Sequence, residues 1–144
     1  MAWAAYTGGK AMSAQPNPLV SAKPAIGIEV DAARNLARVC YAGQVSAAEL
    51  KAGVKEIERR LPELRAGFSI LVDLSGLETM ALDCVPHVAK IMDLCKARGV
   101  GLVVRVSPDP AKDIGFNILS ITHYRGKVRV VTRDTLAEAE RALK

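Results

Sequence analysis

The sequence predicts one α/β domain built on a mostly parallel five-stranded sheet with one antiparallel strand. The chain has 144 residues, half of them hydrophobic and 24% charged, which is typical of a single globular domain. Short apolar runs alternate with helical patterns, and this alternation favours parallel strands joined by right-handed crossovers. The first two runs follow one another directly, so they predict a hairpin and hence the antiparallel strand.

The domain begins with that hairpin and a capped helix. Residues 26–30 and 35–42 have the composition of strands, and the polar link 31–34 fits a turn between them. The segment Ser46-Ala47-Ala48-Glu49 has the sequence pattern of a capping box, in which the serine hydroxyl and the glutamate carboxylate accept hydrogen bonds from free amides at a helix start. Four apolar residues continue at helical spacing, namely Leu50, Val54, Ile57 and Leu61.

Three further strands alternate with three helices. The strands are predicted at residues 68–74, 100–106 and 127–131. The helices are predicted at residues 83–98, capped by Asp83 and ended by Gly99, at 110–121, and from Asp134 or Thr135 to 143. In the first of these helices an apolar stripe is expected, made of Val85, Val88, Met92 and Cys95. The element order is β-β-α-β-α-β-α-β-α.

Alternation along the strands predicts one well-buried sheet face and one half-polar face. The buried face is expected to carry Phe68, Ile70, Val72 and Leu74 together with Val100, Leu102, Val104 and Val106. Asp73 and Arg105 would then share the half-polar face if the register allows it, and a salt bridge between them would be structural. A partner, a second copy of the chain or residues 1–25 could cover this half-polar face.

The composition and the first 25 residues argue against several classes of protein. Residues 1–25 contain two adjacent glycines and three prolines, so a flexible leader is expected before a domain at residues 26–144. The chain lacks the apolar run of a membrane span and the basic start of a signal peptide. Its three cysteines are an odd number, which favours free thiols in a reducing cytoplasm. The net charge of +5 is spread along a chain with only 4% aromatic residues, so nucleic-acid binding is not expected.

The element order and one loop sequence resemble the STAS family, which includes bacterial anti-sigma-factor antagonists. Members carry Asp-Leu-Ser-Gly after a strand and Asp-Ser-Ser-Gly-Leu at a helix start. Here Asp73-Leu74-Ser75-Gly76-Leu77 matches the first motif, Met80-Ala81-Leu82-Asp83 matches the approach to the second, and Arg98-Gly99-Val100 is also family-like. The resemblance covers about residues 26–144. It implies a cytoplasmic bacterial domain that binds a regulatory protein partner.

The second motif departs from the family at the residue that regulates binding. This chain has Asp83-Cys84-Val85-Pro86, so Val85 stands where the resemblance implies a phosphorylated serine. Valine has no hydroxyl, and the phosphorylation switch is therefore not expected. Ser75 and Thr79 are expected in the preceding loop and do not replace that serine.

Cys84 and His87 are the candidates for chemistry, since they lie three residues apart at a helix start. A helix N-terminus and a nearby imidazolium both favour a thiolate, which would suit a cysteine-based enzyme. The favoured alternative is that Cys84 is a small core-edge residue and His87 faces water. No further residue completes a catalytic set. With His123 as the remaining soft ligand, a metal site is not expected, and no cofactor is implied.

The loop after the fourth predicted strand is the second candidate site. Asp109-Pro110 can open a helix, and Lys112 and Asp113 follow within its first turn. Ligands of open parallel sheets gather at the carboxyl ends of strands. A rigid capped loop explains the same residues. His123-Tyr124-Arg125 is interpreted as a surface turn or an interface segment.

Three hypotheses follow for function. The first is a non-catalytic protein-interaction domain whose contact candidates are Asp83, Cys84, Val85, His87, Asp109, Lys112 and Asp113. The second is a small-ligand or lipid-binding module with an apolar pocket near Met80, Phe116 and Leu119. The third is an enzyme using Cys84, which requires a depressed thiol pKa. The sequence leaves a homodimer open.

Overall fold

The computed structural model describes residues 25–109, 123–124 and 128–143, which form a five-stranded sheet with helices. The strands lie in the order β1-β2-β3-β4-β5. Their bounds are β1 Ile26–Asp31, β2 Leu36–Val45, β3 Ser69–Met80, β4 Leu102–Val106 and β5 Arg129–Arg133. β1 and β2 are antiparallel, and every other neighbouring pair is parallel. This confirms the predicted fold class.

Three helices of the described residues begin and end at local signals in the sequence. They are α1 Ala47–Arg60, α2 Val85–Arg98 and α3 Leu136–Ala142. Thr135 caps α3 by accepting from the Glu138 amide at 3.2 Å, as predicted. Gly99 ends α2 in the left-handed region at φ 95°, also as predicted, because glycine has no Cβ to oppose that conformation. The predicted helix 110–121, with Lys112 and Asp113, lies outside the described residues.

The register between β3 and β4 overturns the predicted division of the sheet faces. Ile70 pairs with Val103, and Leu71 pairs with Val104. Cross-strand partners share a face, so Ile70 lies with Val103 and not with Val104. The alternation within each strand is as predicted, but the two strands are offset by one residue relative to the expectation. A shift of one residue moves every side chain of a strand to the other face.

Each sheet face therefore carries its own apolar cluster. The larger cluster lies between the sheet and the helices α1 and α2, and includes Val39, Ile70, Val103 and Phe68. The smaller cluster lies under α3 and is made of Leu36, Leu71, Val104, Val106 and Ala139. The predicted division into one well-buried face and one half-polar face is therefore wrong, since each face of the described sheet carries an apolar cluster and the smaller cluster lies under the short helix α3.

The strands β2 and β3 extend further than the sequence predicts. β3 continues to Met80, where its last residues pair with the end of β2, Thr79 opposite Gln44. Ser75 and Thr79 are therefore strand residues, and their predicted place in a loop is wrong. β4 begins at Leu102 and β5 at Arg129, two residues later than predicted in both cases. The extension carries β2 and β3 past the end of β4, so their carboxyl ends project from the sheet.

Candidate functional site

The projecting ends of β2 and β3 bring two helix starts together. The carbonyl oxygen of Val45, the last residue of β2, accepts from the amide of Ala81 at 3.3 Å. The same oxygen accepts from the Cys84 thiol at 3.5 Å. Because α1 follows Val45 and α2 follows Cys84, these two contacts fix the first turns of both helices side by side. This place is called the α1–α2 end below, and comprises residues 45–49 and 78–87.

The first turn of α1 is held by the predicted capping box. The Ser46 hydroxyl accepts from the Glu49 amide at 3.2 Å, and the Ser46 amide donates to Glu49 Oε1 at 3.0 Å. Two amides at the helix start are thereby satisfied by side chains. The Glu49 carboxylate is exposed and points back to the N-terminal end of α1. It therefore lies at the α1–α2 end.

The start of α2 differs from the prediction. A short 3-10 turn, Leu82–Cys84, precedes the helix, and the N-cap residue is Cys84 rather than Asp83. No side chain caps this helix start. Asp83 is exposed, and among the described residues it has neither a hydrogen bond nor an ion pair. The predicted capping role of Asp83 is wrong because the extra turn places its side chain one residue before the cap. Pro86 lies in the first turn, as predicted.

Two apolar side chains are exposed at this turn. Leu82 is 85% exposed and Val85 is 40% exposed. Val85 was expected in the buried stripe of α2, and that prediction is wrong. The buried residues of α2 are Val88, Ile91, Met92 and Cys95. Sequence reasoning also missed the exposure of Leu82, which lies in the 3-10 turn before α2.

Cys84 is buried rather than poised for chemistry. Its side chain is buried within the larger apolar cluster. Burial raises the pKa of the Cys84 thiol, and the nearby charges of Asp83 and Glu49 raise it further, while a hydrogen bond with the Ala81 backbone opposes them. The hypothesis of a cysteine enzyme requires a depressed pKa, so this environment does not support it. His87 is partly exposed on the same turn.

Arg105 lies on the opposite sheet face from its predicted partner, Asp73. Asp73 pairs with Val106, while Arg105 pairs with Val72, so the two charges point to opposite faces of the sheet. Asp73 instead accepts from the Ser75 amide at 2.9 Å and from the Ser75 hydroxyl at 2.6 Å. The expected salt bridge between Asp73 and Arg105 is therefore wrong, again because of the one-residue register offset.

A small cavity lies beside Arg105 under α2. Its lining includes Arg105, Tyr41, Tyr124 and Met92, and its volume is about 30 Å³. A buried water needs about 10–15 Å³ on this measure, so the cavity fits two or three waters. Drug-sized ligands need roughly 300–1,000 Å³. Tyr124 is buried here and burial raises the pKa of its hydroxyl, so its interpretation as a surface residue is wrong.

The remaining candidates do not join the α1–α2 end. His123 Nδ1 contacts Asp93 Oδ1 at 2.9 Å, on the third turn of α2. In the described part of the chain, no three His, Cys, Asp or Glu side chains form a group that could hold a metal ion. Asp109 is exposed, and its carbonyl oxygen accepts from the Ser107 hydroxyl at 3.1 Å. Helices of the described residues are all too short or too polar to cross a membrane.

Solved structures show the same fold. The unphosphorylated anti-sigma factor antagonist SpoIIAA matches with a TM-score of 0.59 and 13% identity, over 82% of this chain and 96% of that one. An uncharacterised DUF3478 protein with a SpoIIAA-like fold, from Shewanella loihica, matches with a TM-score of 0.62 and 14% identity, over 83% and 93%. An anti-sigma factor antagonist from Mycobacterium paratuberculosis gives 0.53 and 20%, over 85% and 97%.

These likenesses establish a SpoIIAA-like, and hence STAS-like, fold for this chain. No family model matches the sequence. No curated protein matches it either. The resemblance in element order is thus confirmed at the level of the fold, with an identity to these structures of 20% or less.

Proposed function

We propose that this chain is a non-catalytic, regulatory protein-interaction domain of a bacterial cytoplasm, which binds its partner without a serine phosphoswitch. The observation that carries the proposal is the exposure of Leu82 and Val85 at the α1–α2 end. Two exposed apolar side chains three residues apart suit a surface that a protein partner covers. Structural neighbours of this chain are described as anti-sigma factor antagonists, which supports a regulatory role.

Binding without the switch follows from the residue at position 85. SpoIIAA has been solved in an unphosphorylated and a phosphorylated form. Val85, at the position that the family resemblance gives to the switched serine, offers no oxygen for a phosphate. Ser75 and Thr79 are exposed, but both lie in β3, outside the turn that precedes α2. The position that carries the family's switch therefore has no phosphorylatable oxygen in this chain.

The other two hypotheses have less support. The cavity beside Arg105 has room for two or three waters only, which does not suit a lipid or a nucleotide. Among the residues predicted near a ligand pocket, Met80 is partly buried, whereas Phe116 and Leu119 lie outside the described residues. For the enzyme hypothesis, Cys84 has the raised thiol pKa of a buried core residue.

Affinity capture from the native cell extract tests the proposal. The full chain, a double variant L82S/V85S and the single variant L136S are used as bait, and bound proteins and small molecules are identified by mass spectrometry. Leu136, 44% exposed on α3, is the matched control for loss of an exposed apolar side chain. We expect a protein that is captured by the full chain and L136S but not by the double variant. A co-purifying lipid or nucleotide with no protein, or equal capture by all three baits, would contradict the proposal.

A further inference from the structure

The α1–α2 end combines its exposed apolar residues with an excess of negative charge. Residues 39–50 and 66–89 contain no Lys or Arg, yet they carry Glu49, Asp73, Glu78 and Asp83. The chain as a whole has a formal charge of +5. Because the cations are placed elsewhere in the sequence, the negative charge at this end is a local feature and not a reflection of composition.

Two carboxylates of the α1–α2 end are open to a partner. Asp83 lies between Leu82 and Val85 in the sequence, and Glu78 lies four residues before Leu82. Both are exposed, and neither has a hydrogen bond or an ion pair among the described residues. Some exposed carboxylates of the described chain are paired, as Glu63 is with Arg60 at 2.6 Å, whereas Glu78 and Asp83 remain available to a partner. Glu49 adds a third carboxylate, which is close enough to raise the pKa of the Cys84 thiol.

The nearest cations of the described residues lie outside this surface. Lys51 and Lys90 are exposed on α1 and α2, but each follows the first turn of its helix. Arg133 ends β5, two strands from β3, which is about 10 Å at the usual strand spacing. That distance is about one Debye length at 0.1 M salt, so Arg133 neutralises the surface only weakly.

We infer that the α1–α2 end docks a cationic amphipathic segment of a protein partner, whose apolar side chains cover Leu82 and Val85 while its Lys or Arg side chains meet Asp83, Glu78 and Glu49. This inference rests on the proposed function and adds the chemistry of the partner. Charge complementarity selects a basic segment over an acidic one, because like charges at this surface repel. The permanent carboxylates give the surface a fixed charge, consistent with a contact that phosphorylation does not switch.

Two synthetic peptides titrated into the ¹⁵N-labelled full chain test the inference. Both are 14-residue amphipathic sequences with the same leucine positions, one with Lys and the other with Glu at every polar position. We expect the Lys peptide to shift the amide signals of residues 46–49 and 82–85. Its affinity should fall about two- to fivefold in D83N, the range of an exposed ion pair. In L82S it should fall about ten- to a hundredfold, because a buried leucine side chain is lost from the contact.

Two control variants outside the α1–α2 end show whether a loss of peptide binding is specific to that surface. E58Q removes an exposed carboxylate of α1, and L136S removes an exposed leucine of α3. Neither should change the affinity of the Lys peptide, and the amide spectrum of each variant reports whether it is folded. Should L82S fail to fold, V85S takes its place, with a smaller expected loss because Val85 is less exposed.

The outcomes that overturn the inference are specific. Equal binding of the Glu peptide, shifts centred on α3 or β5, or no binding of the Lys peptide at 1 mM would each contradict it. If the Lys peptide fails while the double variant L82S/V85S still loses a captured protein, the charge complementarity is wrong and the proposed function stands. If neither variant nor peptide shows an effect at this surface, both are wrong.

Discussion

The ion pair between Arg38 and Glu140 fastens α3 to the sheet, and its two ends differ in burial. Arg38 Nη2 donates to Glu140 Oε2 at 2.7 Å, with the Arg38 side chain 9% exposed and the Glu140 side chain 32% exposed. Arg34 Nη2 lies 3.9 Å from the other carboxylate oxygen. Replacing Glu140 leaves a buried guanidinium without a partner, whereas replacing Arg38 leaves a carboxylate that water reaches. The two substitutions should therefore lower the free energy of unfolding by different amounts.

We expect E140A to destabilise the protein more than R38M does. E140A leaves the Arg38 guanidinium buried without its carboxylate. Such losses cost 3–5 kcal/mol in fully buried pairs, and partial exposure of Glu140 reduces the expected cost to about 2 kcal/mol. R38M keeps an apolar stem against the sheet and leaves a carboxylate that water already reaches, so its cost is about 1 kcal/mol or less.

Urea unfolding followed by circular dichroism measures both values. E58A, which removes an exposed carboxylate from α1, is the control and should stay within about 0.5 kcal/mol of the wild-type chain. The reasoning would be refuted by an R38M variant that loses as much free energy of unfolding as E140A, or by an E140A variant indistinguishable from E58A.

Three further predictions follow from the thiols and one glycine. The structure shows three free, buried cysteines, namely Cys40, Cys84 and Cys95. All three should react slowly with iodoacetamide at pH 8 in the native chain and rapidly in urea. Fast, selective labelling of Cys84 would contradict its buried state. Burial raises the pKa of the Cys95 thiol from 9 to about 12. The stability that this shift contributes is therefore complete below pH 9 and is lost as the pH rises towards 12. In C95A the free energy of unfolding should fall less steeply over that pH range. G99A should cost about 1–2 kcal/mol, because residue 99 has φ 95° and its new Cβ would lie 3.1 Å from Ala66 Cβ; an unchanged urea midpoint would contradict this account.

The sequence predicted the elements well because their signals are local. The capping box at Ser46, the helix stop at Gly99 and the hairpin before β2 each depend on residues within a few positions of one another. The register of β3 against β4 depends instead on how the crossover helix packs, and no short turn fixes it. Alternation therefore predicted correctly which residues of one strand share a face. It did not predict which face of β4 lies on the same side of the sheet as a given face of β3, so Arg105 was placed on the wrong side.

The sequence predicted which residues lie near the start of α2 but not how they are arranged there. The family-like segment 80–86 directed attention to the start of α2, and the structure places Cys84 and Val85 there. The 3-10 turn before the helix was not predictable from propensity, since Asp83 has the residue type of a cap but not its position. The exposure of Leu82 depends on where that turn projects, which is set by the extension of β3 to Met80.

Site-specific photocrosslinking in native cells tests the central claim most directly. A benzoylphenylalanine replaces Leu82 in one full-length variant and Leu136 in another, and crosslinked products are identified by mass spectrometry. The account predicts a discrete adduct with one protein from position 82 and none from position 136, and the crosslinked segment of the partner should be rich in Lys or Arg. No adduct from position 82, or the same adducts from both positions, would contradict the claim that the α1–α2 end is the partner-binding surface.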